Sequence, residues 1–174
     1  MMRLAALIAG TIGAALLLWT RSVQAGEKEM SLREIFDKWG NQYGVDPLLL
    51  EAFATVESGL DANAVRWNPP KDISVGLMQV LYIPSNINVP NSPPTNRFNV
   101  DGWSEATFDK LKDPEFNVRI ASQIVAWNVK TFGMPRAIAV YNNYSQRFAG
   151  VNGPFTNQSY VDKVLRNYAR LQGE

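Results

Sequence analysis

The sequence contains no histidine and no cysteine. The chain therefore cannot form a Ser-His-Asp or Cys-His nucleophile system, a zinc site with thiolate or imidazole ligands, or a disulfide. Acid-base chemistry must come from carboxylates, lysine or tyrosine. The charges are nearly balanced, with 17 basic and 16 acidic residues and no block of one sign. This balance argues against nucleic-acid binding and against electrostatic attachment to a membrane surface.

The amino terminus resembles a secretory signal peptide over residues 1–25. It has a basic start at Arg3, an apolar run over residues 4–19 and small residues ending at Ala25. The run is shorter than the roughly 20 apolar residues of a spanning helix, and retention as a membrane anchor is the alternative to cleavage. We therefore expect an exported protein of the periplasm or cell envelope, with one domain over residues 26–174.

Helix signals dominate the rest of the chain and predict a mainly α fold. Ser31 and Glu34 have the spacing of a capping box at a helix start. Asp46-Pro47 and Asp113-Pro114 each suit the cap and first-turn positions of a further helix. Helical signals are also present over residues 104–112. Between these helices, residues 59–104 are rich in proline and asparagine, which predicts a long irregular segment with at most minor β-structure.

Glu57 is the first candidate for a chemical role. It ends the apolar segment 45–56, which predicts a buried helix. Burial and the negative end of the helix dipole both disfavour a charged carboxylate, so the pKa of Glu57 should be raised. A carboxyl that stays protonated near neutrality can donate a proton to a leaving oxygen. The alternative is a Glu57 that reaches the surface or pairs with a lysine or arginine.

Four motifs occur in an order that closely resembles the catalytic domain of the soluble lytic transglycosylases, and they extend over about residues 31–171. The first is Glu57-Ser58, which ends a segment that begins with Tyr43-Gly44-Val45-Asp46-Pro47. The others are Gly76-Leu77-Met78-Gln79, Asp113-Pro114-Glu115-Phe116-Asn117-Val118 and Ala137 to Asn142. The resemblance implies a mainly helical, lysozyme-like fold. It also implies cleavage of the β-1,4 bond between N-acetylmuramic acid and N-acetylglucosamine in peptidoglycan, with formation of a 1,6-anhydro sugar. No metal or cofactor is implied.

The resemblance also assigns roles to individual residues. Glu57 is expected to be the sole catalytic acid/base, and Tyr141 to point its hydroxyl toward it. The residues expected to bind substrate are Gln79, Met78, Tyr141, Asn142, Ser58 and Ser74. Alternatives stay open for three of them: Gln79 as a cap of backbone groups, Met78 as a filler of the core, and Tyr141 as a buried tyrosine with a satisfied hydroxyl.

Two positions depart from the family pattern. Many members carry a hydroxyl residue nine positions beyond the catalytic glutamate, where this chain has Arg66, and Ser74 is a candidate replacement. Asn143-Tyr144 replaces the common Ala-Gly after the tyrosine motif, so the following loop should turn differently. The segment from Tyr82 to Trp103 is longer than a minimal domain needs and suggests a substrate lid or a docking segment.

The sequence also allows two other functions. A lysozyme-type muramidase would use a second carboxylate, such as Asp61 or Asp72, to hold a water molecule. A non-catalytic glycan-binding protein would instead belong to a secretion or phage apparatus. In each case the expected partner is the peptidoglycan glycan strand, and we expect a monomer. Envelope-spanning secretion machinery or a phage component is a further candidate partner.

Overall fold

The computed structural model describes residues 29–68, 72–82 and 106–173. The predicted signal peptide and nearly all of the segment from Tyr82 to Trp103 lie outside these ranges. The described part has five α-helices and three short strands, which confirms the mainly α prediction. They are α1 (Leu32–Tyr43), α2 (Pro47–Ser58), β1 (Val65–Asn68), β2 (Asp72–Val75), β3 (Val80–Tyr82), α3 (Pro114–Phe132), α4 (Arg136–Asn142) and α5 (Gln158–Gln172).

The helix starts lie where the capping signals predict them. The Ser31 backbone N–H donates to the Glu34 carboxylate at 2.7 Å, and the Glu34 N–H donates to Ser31 Oγ at 3.3 Å, which completes a capping box. Asp46 accepts a hydrogen bond from the Leu48 N–H, and Asp113 accepts one from the Phe116 N–H. These caps fix the first turns of α1, α2 and α3.

Helix α2 is the centre of the core. Leu50, Ala52, Phe53 and Ala54 are almost completely buried, and α2 packs against both α1 and α5. The predicted buried helix is therefore confirmed. Gly59, in the left-handed conformation, ends the helix, so the side chain of Glu57 projects from its last turn.

The strands form one small antiparallel sheet in the order β1-β2-β3. Arg66 pairs with Ser74, and Ser74 pairs in turn with Leu81. The turn at residues 76–79, which joins β2 to β3, is largely buried. The described part of the irregular segment thus contains minor β-structure, as predicted.

The helix signal over residues 104–112 is confirmed only in part. Within the described residues 106–113, only the 3-10 turn Lys110–Lys112 is helical. Asp113 has an extended backbone because it precedes a proline and caps α3, so the 3-10 turn and α3 are separate, as the Asp113-Pro114 pattern predicts. Beyond this turn, α3 packs against α1 and α4. None of the described helices is long and apolar enough to cross a membrane.

Candidate active site

The Glu57 carboxyl is half-buried at the end of α2. Burial raises its pKa from 4.5 to about 7, while a hydrogen bond from Tyr160 and the charge of Arg66 act in the opposite direction. Burial is the largest of these influences, as the apolar helix led us to expect. Near neutral pH the group is therefore divided between its acid and carboxylate forms, which suits a residue that must both give and take a proton.

Tyr160 is the direct partner of Glu57. Its hydroxyl lies 2.5 Å from Glu57 Oε1 and donates a hydrogen bond to it. Burial and the nearby carboxylate raise the pKa of Tyr160 well above 10, so the phenol stays a neutral donor. The hydrogen bond occupies Oε1 and leaves Oε2 as the carboxyl oxygen available to a substrate.

The sequence did not identify Tyr160 as a functional residue. In the sequence it is one member of an apolar stripe that predicts the last helix. The available signal was a hydroxyl-bearing side chain in the first turn of that helix, on the same stripe as the core residues Val161 and Val164. Because a buried tyrosine needs a hydrogen-bond partner, its place in the stripe could have suggested a polar partner inside the fold.

Tyr141 lies close to Glu57 but uses its hydroxyl elsewhere. It donates a hydrogen bond to the Met78 carbonyl at 2.8 Å, and its ring packs on Phe53 with 4.9 Å between the centroids. Burial, followed by the charge of Glu57, raises the pKa of Tyr141. In this structure Tyr141 links the Gly76–Gln79 turn to α2, whereas Tyr160 makes the hydrogen bond to Glu57.

The turn at residues 76–79 is fixed to α3 by Asn117, which is fully buried. Its Nδ2 donates to the carbonyls of Val75 and Leu111 at 2.8 and 2.7 Å. Its Oδ1 accepts from the Met78 N–H at 2.8 Å. The side-chain amide of Asn117, from the motif that opens α3, thus satisfies backbone groups at the Gly76–Gln79 motif.

Gly76 is the point of closest approach in this turn. Its φ is +79°, and a Cβ at this position would lie 2.2 Å from the Leu111 carbonyl oxygen and 2.4 Å from Asn117 Nδ2. Only glycine fits both the backbone angle and the space.

Gln79 and Met78 lie on this turn. Their contacts bear on whether each side chain faces a substrate, or instead caps backbone groups or fills the core. Gln79 Nε2 donates to the carbonyls of Ala64 and Gly76 at 3.2 and 3.0 Å, so the side chain caps backbone groups. Both bonds use the amide nitrogen, which leaves the amide oxygen for a ligand. The Met78 side chain is completely buried, which favours core packing over contact with a substrate.

The remaining predicted substrate-binding residues are spread around this centre. Ser58 Oγ donates to the Ala54 carbonyl one turn back in α2. Ser74 lies in the middle of β2, directly opposite Arg66. Asn142 is exposed at the end of α4, and its Oδ1 accepts from Asn157 Nδ2 at 3.0 Å. In residues 29–68, 72–82 and 106–173, no group of three acidic side chains could hold a metal ion.

Asn143 fixes the start of the loop after Tyr141. Asn143 caps a 3-10 turn over Tyr144–Phe148 by accepting a hydrogen bond from the Ser145 N–H at 3.1 Å. An alanine at this position could not make this cap.

A family model for the transglycosylase SLT domain matches residues 34–153, more than half of the chain. This is the lysozyme-like lytic transglycosylase domain, and the helical architecture agrees with it. The match supports a glycan-cleaving activity of the transglycosylase type with peptidoglycan as the substrate, which lies outside the cytoplasm. The chain belongs to the transglycosylase SLT domain family.

Proposed function

We propose that this protein is a peptidoglycan lytic transglycosylase that cleaves the β-1,4 bond between N-acetylmuramic acid and N-acetylglucosamine and leaves a 1,6-anhydro end. The observation that carries the proposal is the state of Glu57, a half-buried carboxyl with a pKa of about 7 that is oriented by Tyr160. One carboxyl in this state can act first as acid and then as base.

The proposed reaction has two steps that use the same proton carrier. Protonated Glu57 gives its proton to the glycosidic oxygen, and the bond from that oxygen to C1 of the muramic acid breaks. The Glu57 carboxylate then takes the proton of the C6 hydroxyl, whose oxygen bonds to C1. No water is consumed, and Glu57 ends in its starting protonation state.

A lysozyme-type hydrolase would need a second group to activate water. Asp61 was one candidate, and in this structure it is exposed and accepts a hydrogen bond from the Asn63 N–H at 2.8 Å. This contact caps a local turn and supplies no reason for Asp61 to hold a water beside the scissile bond. The local bond of Asp61 therefore favours the intramolecular attack over a hydrolysis that would depend on Asp61.

Digestion of purified peptidoglycan followed by mass spectrometry tests the proposal. We expect soluble fragments with 1,6-anhydro-muramic acid ends. Fragments that carry one added water would instead establish a muramidase. Binding to peptidoglycan with no soluble fragments would point to a non-catalytic glycan-binding role.

Replacing Tyr160 with Phe tests whether Tyr160 lowers the pKa of Glu57. The hydrogen bond from Tyr160 lowers the pKa of Glu57, so its loss should raise that pKa further. The first step needs the protonated acid, and kcat/KM should therefore fall with rising pH through the Glu57 pKa. A hydrogen bond to a charged group is worth roughly 1.5–3 kcal/mol, so this descending limb should move up by about one pH unit or more.

Tyr168→Phe is the matched control for this variant. Tyr168 lies on the same helix, and its hydroxyl donates to Asp46 Oδ2 at 2.6 Å, away from Glu57. Its removal should leave the pH profile in place. A Tyr160→Phe variant with lower activity but an unmoved descending limb would show that Tyr160 has only a structural role.

A further inference from the structure

Arg66 is an exposed cation in the middle of β1. In the described ranges its guanidinium makes no hydrogen bond and no ion pair. Residues directly opposite each other in an antiparallel sheet project to the same side. Arg66, Ser74 and Leu81 therefore share one face of the sheet, with a guanidinium beside a hydroxyl.

This face is joined to the active site through backbone contacts. The carbonyl of Ala64, two residues before Arg66, accepts hydrogen bonds from the Gly76 N–H at 2.8 Å and from Gln79 Nε2 at 3.2 Å. The start of β1 is thereby fixed to the turn that forms one wall of the site. The charge of Arg66 also reaches Glu57, whose pKa it lowers.

The proposed substrate carries carboxylates close to the scissile bond. Each muramic acid bears a lactyl group, which is a free carboxylate in strands without peptides and is otherwise linked to a stem peptide that has carboxylates of its own. A guanidinium matches the geometry of a carboxylate with two parallel hydrogen bonds, and a neighbouring hydroxyl can add a third.

We propose that Arg66, assisted by Ser74, binds a carboxylate on the muramic acid substituent and so selects the charged form of the substrate. This inference rests on the proposed function and adds a specificity-determining residue to it. The residue occupies the position where many family members carry a hydroxyl, so the selection is a property of this chain.

Binding of a carboxylate at Arg66 has a consequence for Glu57. Tyr160 from α5 and Arg66 from β1 lower the pKa of Glu57, and the charge of Glu57 raises the pKa of Tyr141 from α4. A bound anion cancels the charge of Arg66 and removes its influence. The pKa of Glu57 then rises, so the general acid gains its proton when a charged substrate occupies the site.

The experiment measures kcat/KM of the full chain and of Arg66→Gln on paired substrates. The first pair is peptide-free glycan strands with the lactyl carboxylate free or converted to its methylamide. The second pair is intact peptidoglycan with stem carboxylates free or amidated. We expect the wild type to prefer the charged member of one pair by about tenfold or more, the value of a charge-assisted hydrogen bond, and Arg66→Gln to lose that preference.

The two pairs identify the carboxylate. A preference within the peptide-free pair assigns the lactyl group, and a preference only within the intact pair assigns the stem peptide. Arg170→Gln removes the same charge from an exposed position in the last turn of α5 and should keep the preference.

Equal loss of activity on charged and neutral substrates in Arg66→Gln would overturn the inference, as would an unchanged preference. Neither result affects the proposed function, because the wild type would still release anhydro fragments. A wild type that releases no fragments from any substrate would instead overturn the proposed function itself.

Discussion

Replacing Glu57 with Gln should lower kcat for release of peptidoglycan fragments by about a thousandfold or more. A positioned acid or base contributes typically 10²–10⁴-fold, and Glu57 is proposed to act in both steps. Glutamine keeps the size of the side chain and can still contact Tyr160, but it cannot donate a proton to the glycosidic oxygen. Turnover of purified peptidoglycan, followed by the release of soluble fragments, measures the effect.

Glu51→Gln is the matched control on the same helix. Glu51 lies on the other side of α2 and pairs with Arg33 across 3.3 Å at the surface. Such an ion pair contributes little to stability, and its loss should leave turnover unchanged. Full activity in Glu57→Gln, or equal losses in both variants, would contradict the assigned role.

The pH dependence of stability shows whether Glu57→Gln is folded like the wild type. The folded-state pKa of Glu57 is raised, so its contribution to stability is present below about pH 4.5 and is lost as the pH rises through about 7. The interval between 4.5 and about 7 corresponds to about 3 kcal/mol. Glutamine does not ionise, so the variant does not lose this stability as the pH rises. Calorimetry should therefore show the variant gaining stability over the wild type between pH 5 and pH 8.

The helix starts were predictable because their causes are local. Ser31, Asp46 and Asp113 each cap a helix through contacts within three residues, and such contacts are visible as short sequence patterns. The burial of α2 was equally readable from its composition. The strands could not be placed, since each has only three or four residues and the alternation that marks a strand needs a longer run.

The site was predictable only in part, because its contacts join distant residues. Glu57 and Tyr160 are 103 positions apart, and no local pattern connects them. Met78 and Asn117 were quoted within motifs, but the hydrogen bond between them follows from how α3 packs against the turn. Arg66 was noticed as a departure from the family, whereas its place opposite Ser74 required the register of the sheet.

Gly76→Ala should be strongly destabilising. The added Cβ meets the Leu111 carbonyl oxygen at 2.2 Å and Asn117 Nδ2 at 2.4 Å, and Asn117 is too buried to move aside. A positive φ costs alanine about 1 kcal/mol, and each buried polar group that loses its partner costs roughly 1–3 kcal/mol. We expect a loss of about 4 kcal/mol in the free energy of unfolding, measured by urea denaturation.

Gly44→Ala separates the two causes of this loss. Gly44 has a φ of +69°, close to that of Gly76, but a Cβ there meets nothing within 4 Å. It should therefore cost only the backbone strain of about 1 kcal/mol and leave glycan cleavage intact. A similar loss in both variants would show that the lack of space at Gly76 adds nothing to the backbone strain. A much larger loss of unfolding free energy in Gly76→Ala, together with lost cleavage, would mean that the active site needs a residue without a side chain at position 76.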